Sequence, residues 1–85
     1  MPDFKLIFTN RFVKDFRRLS NQNQLRVRRG LESLKQDPYK GRKLKSTPLG
    51  GYRIRVGDIR VLYDIEEENV FLLHVSKRED AYRKF

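Results

Sequence analysis

Arg53, Arg55 and Arg60 fall within the stretch "GGYRIRVGDIRVLY", residues 50–63, where the surrounding residues alternate between apolar and polar. The alternation predicts two strands joined by a two-residue turn at Gly57-Asp58, which sets Val56 against Ile59, Arg55 against Arg60, Ile54 against Val61 and Arg53 against Leu62. Tyr52, Ile54, Val56, Ile59, Val61 and Tyr63 then share a core face, and the three arginines share the other. Like charges opposed in a sheet cost about what a favourable pair contributes, roughly 0.2 to 1 kcal/mol. Asp64 is the one acid of matching parity on these strands. A bound phosphate chain answers the charges better than a single carboxylate does, because each planar guanidinium can hold two phosphate oxygens.

Arg78 and Tyr82 are four residues apart, so a short helix places both on one side. Tyr82 then either reaches the arginine face or packs as an aromatic that pins the C-terminal segment. Other chemistry is sparse. His74 is the single histidine, lies in the apolar run "VFLLHVS" and reads as a hydrogen-bonded sheet residue. Glu66, Glu67 and Glu68 are consecutive in a turn, where alternate side chains diverge, so no metal site is expected. Cysteine is absent, which removes thiolate zinc sites, thiol nucleophiles and disulfides, and no cofactor motif is present. Ribonuclease chemistry needs less. RNA brings its own nucleophile in the 2′-OH, and the protein must align it, take its proton and stabilise the charge that develops. The arginines suit the last task, and Tyr82 amid cations is the evident base, since nearby positive charge favours a phenolate.

The elements that must carry these residues follow from the apolar spacing. Phe4, Leu6 and Phe8 mark an opening strand, and Thr9 or Asn10 caps a helix with Phe12, Phe16 and Leu19 on one face. "SNQNQ" interrupts the pattern, and Val27, Leu31 and Leu34 mark a second helix that stops before Pro38. The segment "DPYKGRKLKSTPLGG" reads as a loop bearing Lys40, Arg42, Lys43 and Lys45, either a solvated surface or an RNA contact. Strands are expected at 52–56, 59–65 and 70–75, with Lys77 after the last as a further RNA contact, and "SKREDAYRKF" has room for about two helical turns. The result is an α+β fold in one domain, residues 1–85. An N-terminal strand and an antiparallel helical hairpin precede a three-strand meander in one mostly antiparallel sheet, followed by a short C-terminal helix.

Charge points the same way. The 85-residue chain carries +9, and residues 11–60 hold 15 basic against 4 acidic residues while the remainder is net acidic. Such a stretch favours a polyanion, nucleic acid first. No apolar run approaches the length of a membrane span, and the start lacks a signal-peptide pattern, so a cytoplasmic protein without a membrane partner is expected.

The chain resembles the RelE toxins of the RelE and ParE superfamily of toxin-antitoxin systems, over nearly its whole length and most specifically over "YRIRVGDIRVLYDI" and "SKREDAYR". The resemblance implies a metal-independent endoribonuclease that cuts messenger RNA in the ribosomal A site and is silenced by a cognate RelB-like antitoxin. By position it implies that Arg60 binds the scissile phosphate, that Arg78 stabilises the transition state and that Tyr82 is the general base. Arg53 and Arg55 fall where the best-known members have lysines. Arginine keeps the charge there but is a poor proton donor or acceptor. Two alternatives on the same fold are a ParE-like poison of DNA gyrase and a nonenzymatic domain that binds nucleic acid or antitoxin. An acidic, partly disordered antitoxin with apolar anchors in grooves beside the helices would complement a basic chain.

Overall fold

A computed structural model describes residues 3–43 and 51–77. The chain opens with strand β1, Lys5–Phe8, and turns at Thr9 into helix α1, Asn10–Arg17. Thr9 is the N-cap: its hydroxyl accepts from the Phe12 N–H at 3.2 Å and donates to the Leu72 carbonyl at 2.7 Å. One short side chain thus starts the helix and fixes it to the sheet. Ser20 caps helix α2, Asn21–Gln36, in the same manner through the Asn23 N–H. Between the helices the Gln24 amide donates to the carbonyls of Phe16 and Leu19, tying the start of α2 to the end of α1. Pro38 ends the helical run as expected and begins a single 3-10 turn, Pro38–Lys40.

Strands β2 (Arg42–Lys43), β3 (Tyr52–Val56), β4 (Ile59–Glu66) and β5 (Asn69–Lys77) complete a five-stranded sheet in the order β1-β5-β4-β3-β2. Only β1 and β5 run parallel, which requires a crossover and explains why the helical hairpin lies between β1 and the meander in the chain. The β3–β4 register agrees with the alternation pattern at every pair from Arg53↔Leu62 to Val56↔Ile59. Gly57 sits at φ 65°, the conformation that the first central residue of a type II′ turn demands. One extra residue enters β5 opposite Leu62 and Tyr63, so Leu62 faces His74 while Tyr63 faces Leu72.

The core forms where α1 and α2 meet the sheet. Phe12, Val27, Leu31 and Leu34 pack with Ile59, Val61, Tyr63, Val70, Leu72 and Val75, all buried. Gly30 lets α2 lie close on β3, since a Cβ there would stand 2.8 Å from Val56 Cγ2. The fold is the expected α+β arrangement of strand, helical hairpin and meander. Two details differ. The loop after α2 contributes the short strand β2, and the last strand runs from Asn69 to Lys77 rather than over 70–75. The expected C-terminal helix lies outside the described residues.

Candidate functional site

The face of the sheet away from the helices collects guanidinium groups. Arg55 stands opposite Arg60. The pair next to a two-residue turn is hydrogen-bonded, so Val56↔Ile59 is such a pair and Arg55↔Arg60 is not, which brings the two arginine side chains closest. Arg53 is flanked by Leu62 on β4 and by Arg42 on β2. Four guanidiniums thus occupy three adjoining strands. The ion pairs among the described residues are Arg11–Asp15 and His74–Asp15, and neither involves this group. Asp64, the acid of matching parity expected from sequence, turns its carboxylate to the backbone N–H of Ile65 at 2.9 Å.

The electrostatic consequence is visible at Arg53, whose affinity for its proton is lowered by burial first and then by the charges of Arg60, Arg55 and Arg42. At Arg60 the Nε is buried and has no hydrogen-bond acceptor among the described residues. A buried donor without a partner is uncommon and costs free energy comparable to a lost hydrogen bond. Repulsion among four cations and an unsatisfied donor are both relieved by an anion, and phosphate oxygens suit a guanidinium in charge and in shape.

The position of Arg42 depends on a buried clamp. The Tyr63 hydroxyl donates to the Pro38 carbonyl at 2.6 Å, holding the 3-10 turn against the sheet just ahead of β2. Burial pushes the Tyr63 phenol up to about 12, aided by Tyr52 and Asp37 and opposed by the backbone N–H of Gly41. Gly41 has no room for a side chain, because a Cβ would collide with the Tyr63 hydroxyl and crowd Arg53 O at 3.0 Å. Tyr52 stacks on Tyr63 with ring centroids 5.6 Å apart, and Tyr39 meets Tyr52 edge-on at 6.1 Å.

Of the residues expected from sequence, the structure brings Arg53, Arg55, Arg60 and Arg42 together. It sets two others apart. Lys43 pairs with Tyr52 and Lys77 with Ile59, so both have the parity of the helix-covered side rather than of the arginine face. Lys45, Arg78 and Tyr82 lie outside the described residues. Sequence reasoning missed the Tyr63 clamp, since Tyr63 reads simply as a core aromatic; the Pro38 turn that it holds is 25 positions away in the chain. His74 is a sheet residue with a partner, its Nδ1 lying 2.5 Å from Asp15 Oδ2 and tying α1 to β5. Nothing in the spacing of the two residues, 59 positions apart, signals that pair.

A second surface lies on the helical side. Phe8, Phe12, Phe16 and Leu31 line an apolar hollow of about 350 Å³ with Arg17 and Arg28 at its margin. It continues past Phe8, Arg28 and Leu31 into a hollow of about 450 Å³ edged by Lys5, Lys35 and the carboxylate of Glu32. Phe8 is 51% exposed there, although it sits in a strand. The outer edge of β1 has no neighbouring strand among the described residues.

Comparison with known proteins places these features in context. The family described as the ParE toxin of the type II toxin-antitoxin system, parDE, matches residues 6–82. A candidate toxin, RelE1, of Methanocaldococcus jannaschii is 29% identical over 86 residues, covering 94% of this chain and 96% of that one. Among solved structures, the toxin-antitoxin complex RelBE2 of Mycobacterium tuberculosis contains a chain that superposes with a TM-score of 0.81 at 25% identity, covering 89% of this chain and 99% of that one. The intact RelBE toxin-antitoxin complex of E. coli gives 0.73 at 26% identity, covering 87% and 95%.

Proposed function

From the premise that the chain belongs to the ParE toxin family of type II toxin-antitoxin systems, we propose that this toxin is a RelE-type endoribonuclease that cleaves messenger RNA in the ribosomal A site without a metal. The carrying observation is the cluster of Arg42, Arg53, Arg55 and Arg60, which has no ion pair among the described residues and a buried unpaired donor at Arg60.

In the reaction the 2′-oxygen attacks the adjacent phosphorus, the bond from phosphorus to the 5′-oxygen breaks, and a 2′,3′-cyclic phosphate forms. Arg60, supported by Arg53 and Arg55, neutralises the charge that builds on the non-bridging oxygens. Such preorganised donors typically contribute about 10² to 10³ in rate each. Arg78 joins them from the terminal segment, and Tyr82 accepts the 2′-OH proton. Arg42 contacts the neighbouring backbone, with Lys43, Lys45 and Lys77 as outlying electrostatic contacts. The arginines remain protonated and cannot exchange the proton, so the leaving 5′-oxygen takes its proton from solvent water. Dependence on the ribosome fits this division, because the decoding site can hold the RNA in line while the toxin supplies charge.

The partner is a cognate antitoxin of acidic, RelB-like character. The M. tuberculosis and E. coli neighbours are toxin-antitoxin complexes by description. The groove from Phe16 to Lys35 offers apolar seats whose margins carry Arg17, Arg28, Lys5 and Lys35 against one carboxylate, Glu32, a net positive border for an amphipathic acidic segment. The protein acts in the cytoplasm, where translating ribosomes are found.

A second reading has its own support, since the matching family carries the ParE name: the chain poisons DNA gyrase by binding. Primer extension on messenger RNA from cells expressing the toxin separates the two. New 3′ ends at A-site codons that are absent with Arg60→Ala and Tyr82→Ala support the ribonuclease. A toxic wild type that leaves messages intact and blocks gyrase supercoiling establishes the second reading.

A further inference from the structure

Beside the arginine face, between α2 and the outer edge of β3, lies a cleft of about 550 Å³. Its rim carries Lys40, Arg42, Arg53 and Arg55, and among the described residues no carboxylate lines it. Its floor is apolar, formed by Ile54 and Val56 where Gly30 lets α2 come close. The strand edge adds polar groups of fixed direction. In the β3–β4 register, Ile54 and Val56 hydrogen-bond to β4, so the N–H and C=O of Arg53 and Arg55 point outward. Among the described residues β2 reaches only Tyr52 and Arg53, which leaves the Arg55 backbone pair at the cleft.

An apolar floor, a cationic rim and one directed donor and acceptor match the three parts of a nucleotide: a base face, a phosphate and a hydrogen-bonding edge. The volume is within the range of small-ligand sites, roughly 300 to 1,000 Å³. Arg53 and Arg42 belong both to this cleft and to the arginine face, so one strand of RNA can pass from one to the other without a break. We propose that the cleft is a second nucleotide subsite, which holds the base and phosphate of a nucleotide flanking the one bound at Arg60. The inference rests on the arginine face taking RNA. It adds Lys40 as a substrate-binding residue and the Arg55 backbone as the contact to the base.

The test is equilibrium binding of two noncleavable single-stranded 2′-O-methyl RNA probes, a dinucleotide with one phosphate and a nonanucleotide, to wild type, Lys40→Ala/Arg42→Ala and Arg60→Ala. Melting curves on each confirm folding; both cleft side chains are exposed, so their removal leaves the core intact. The double variant is expected to bind the nonanucleotide about tenfold more weakly, the order of losing charged hydrogen bonds. Its dependence on salt should flatten by about 0.7 for each phosphate that the variant leaves unneutralised. Because Arg42 also borders the arginine face, the dinucleotide is expected to weaken as well, but by a smaller factor than the nonanucleotide; an equal loss on both probes overturns the subsite. Arg60→Ala is expected to weaken both probes. Unchanged nonanucleotide binding by the double variant, with Arg60→Ala impaired, overturns the subsite and leaves the arginine face standing. Arg60→Ala without effect on either probe overturns the reading of the face itself, and the subsite with it. Equal competition by a poly-glutamate peptide, abolished in the double variant, would assign the cleft to an acidic protein segment and overturn the RNA subsite.

Discussion

The two faces of the β3–β4 hairpin are built from interleaved residues of the same two strands, yet they follow opposite rules. On one, Ile59, Val61 and Tyr63 are fully buried against the helices, and each gains from its neighbours. On the other, Arg53, Arg55 and Arg60 gather with Arg42, and burial together with the charges of Arg60, Arg55 and Arg42 lowers the affinity of Arg53 for its proton. The first face explains why the chain folds. On the second, like charges opposed across strands work against stability, and on the proposed reading an RNA phosphate answers them. Substitutions on the two faces should therefore have opposite signatures, the one in stability and the other in activity.

The largest effect on stability is expected at Leu72, fully buried under α1 and beside the Thr9 clasp. Leu72→Ala should cost about 2 to 5 kcal/mol in chemical denaturation, while any protein that remains folded keeps its cleavage rate. Next comes the link between the faces. Gly41→Ala forces a methyl group against the Tyr63 hydroxyl, an overpacked arrangement that should cost about 1 to 3 kcal/mol. By shifting the Pro38 turn it should also displace Arg42, so this variant alone should lose both stability and RNA affinity.

The alkaline limb of the pH-stability curve reports on the same clamp. The Tyr63 phenol titrates near 10 in the unfolded chain and about 12 in the folded one. The stability it contributes is fully present below pH 10 and is lost as pH rises toward 12, because the unfolded chain gives up the proton first. Urea midpoints measured across that window should fall for wild type. In Tyr63→Phe the fall should be shallower, from a lower starting stability at neutral pH. The smallest effect has the opposite sign. Arg55→Thr removes one member of the closest like-charged pair and places a β-branched residue in a strand. It should stabilise the domain by about 0.2 to 1 kcal/mol in thermal or chemical unfolding while slowing cleavage. A destabilised Arg55→Thr would mean that the arginine face contributes to the fold after all.

How much of this was legible in the sequence follows from how local each signal is. The β3–β4 register could be read because alternation and the Gly57 turn lie within fifteen residues, and one slip would have put Ile54 and Val61 in water. The helix start at Thr9 and the stop before Pro38 were legible for the same reason: the capping side chain and the proline act on their own backbone. The start of α2 at Ser20 was not, because the polar run "SNQNQ" reads as a break although Asn21–Gln24 form its first turn. Strand β2 was not, because two residues cannot show a period, and Arg42 therefore read as one loop cation among four. The separation of Arg42 from Lys43 onto opposite faces depends on the pairing with β3. The Asp15–His74 and Tyr63–Pro38 contacts join residues far apart in the chain, and pattern reading has no access to such pairs without the fold.

The most direct test of the central claim, that the arginine face serves RNA cleavage rather than folding, is a single-turnover assay. Purified ribosomes carrying a defined codon in the A site are mixed with wild-type toxin or with Arg60→Ala, and melting temperatures are measured on the same preparations. Cleavage should slow by about 10² to 10³ in Arg60→Ala, with a melting temperature equal to or above that of wild type. A variant that cleaves at the wild-type rate, or that loses activity only in proportion to lost stability, would contradict the assignment of this face to catalysis.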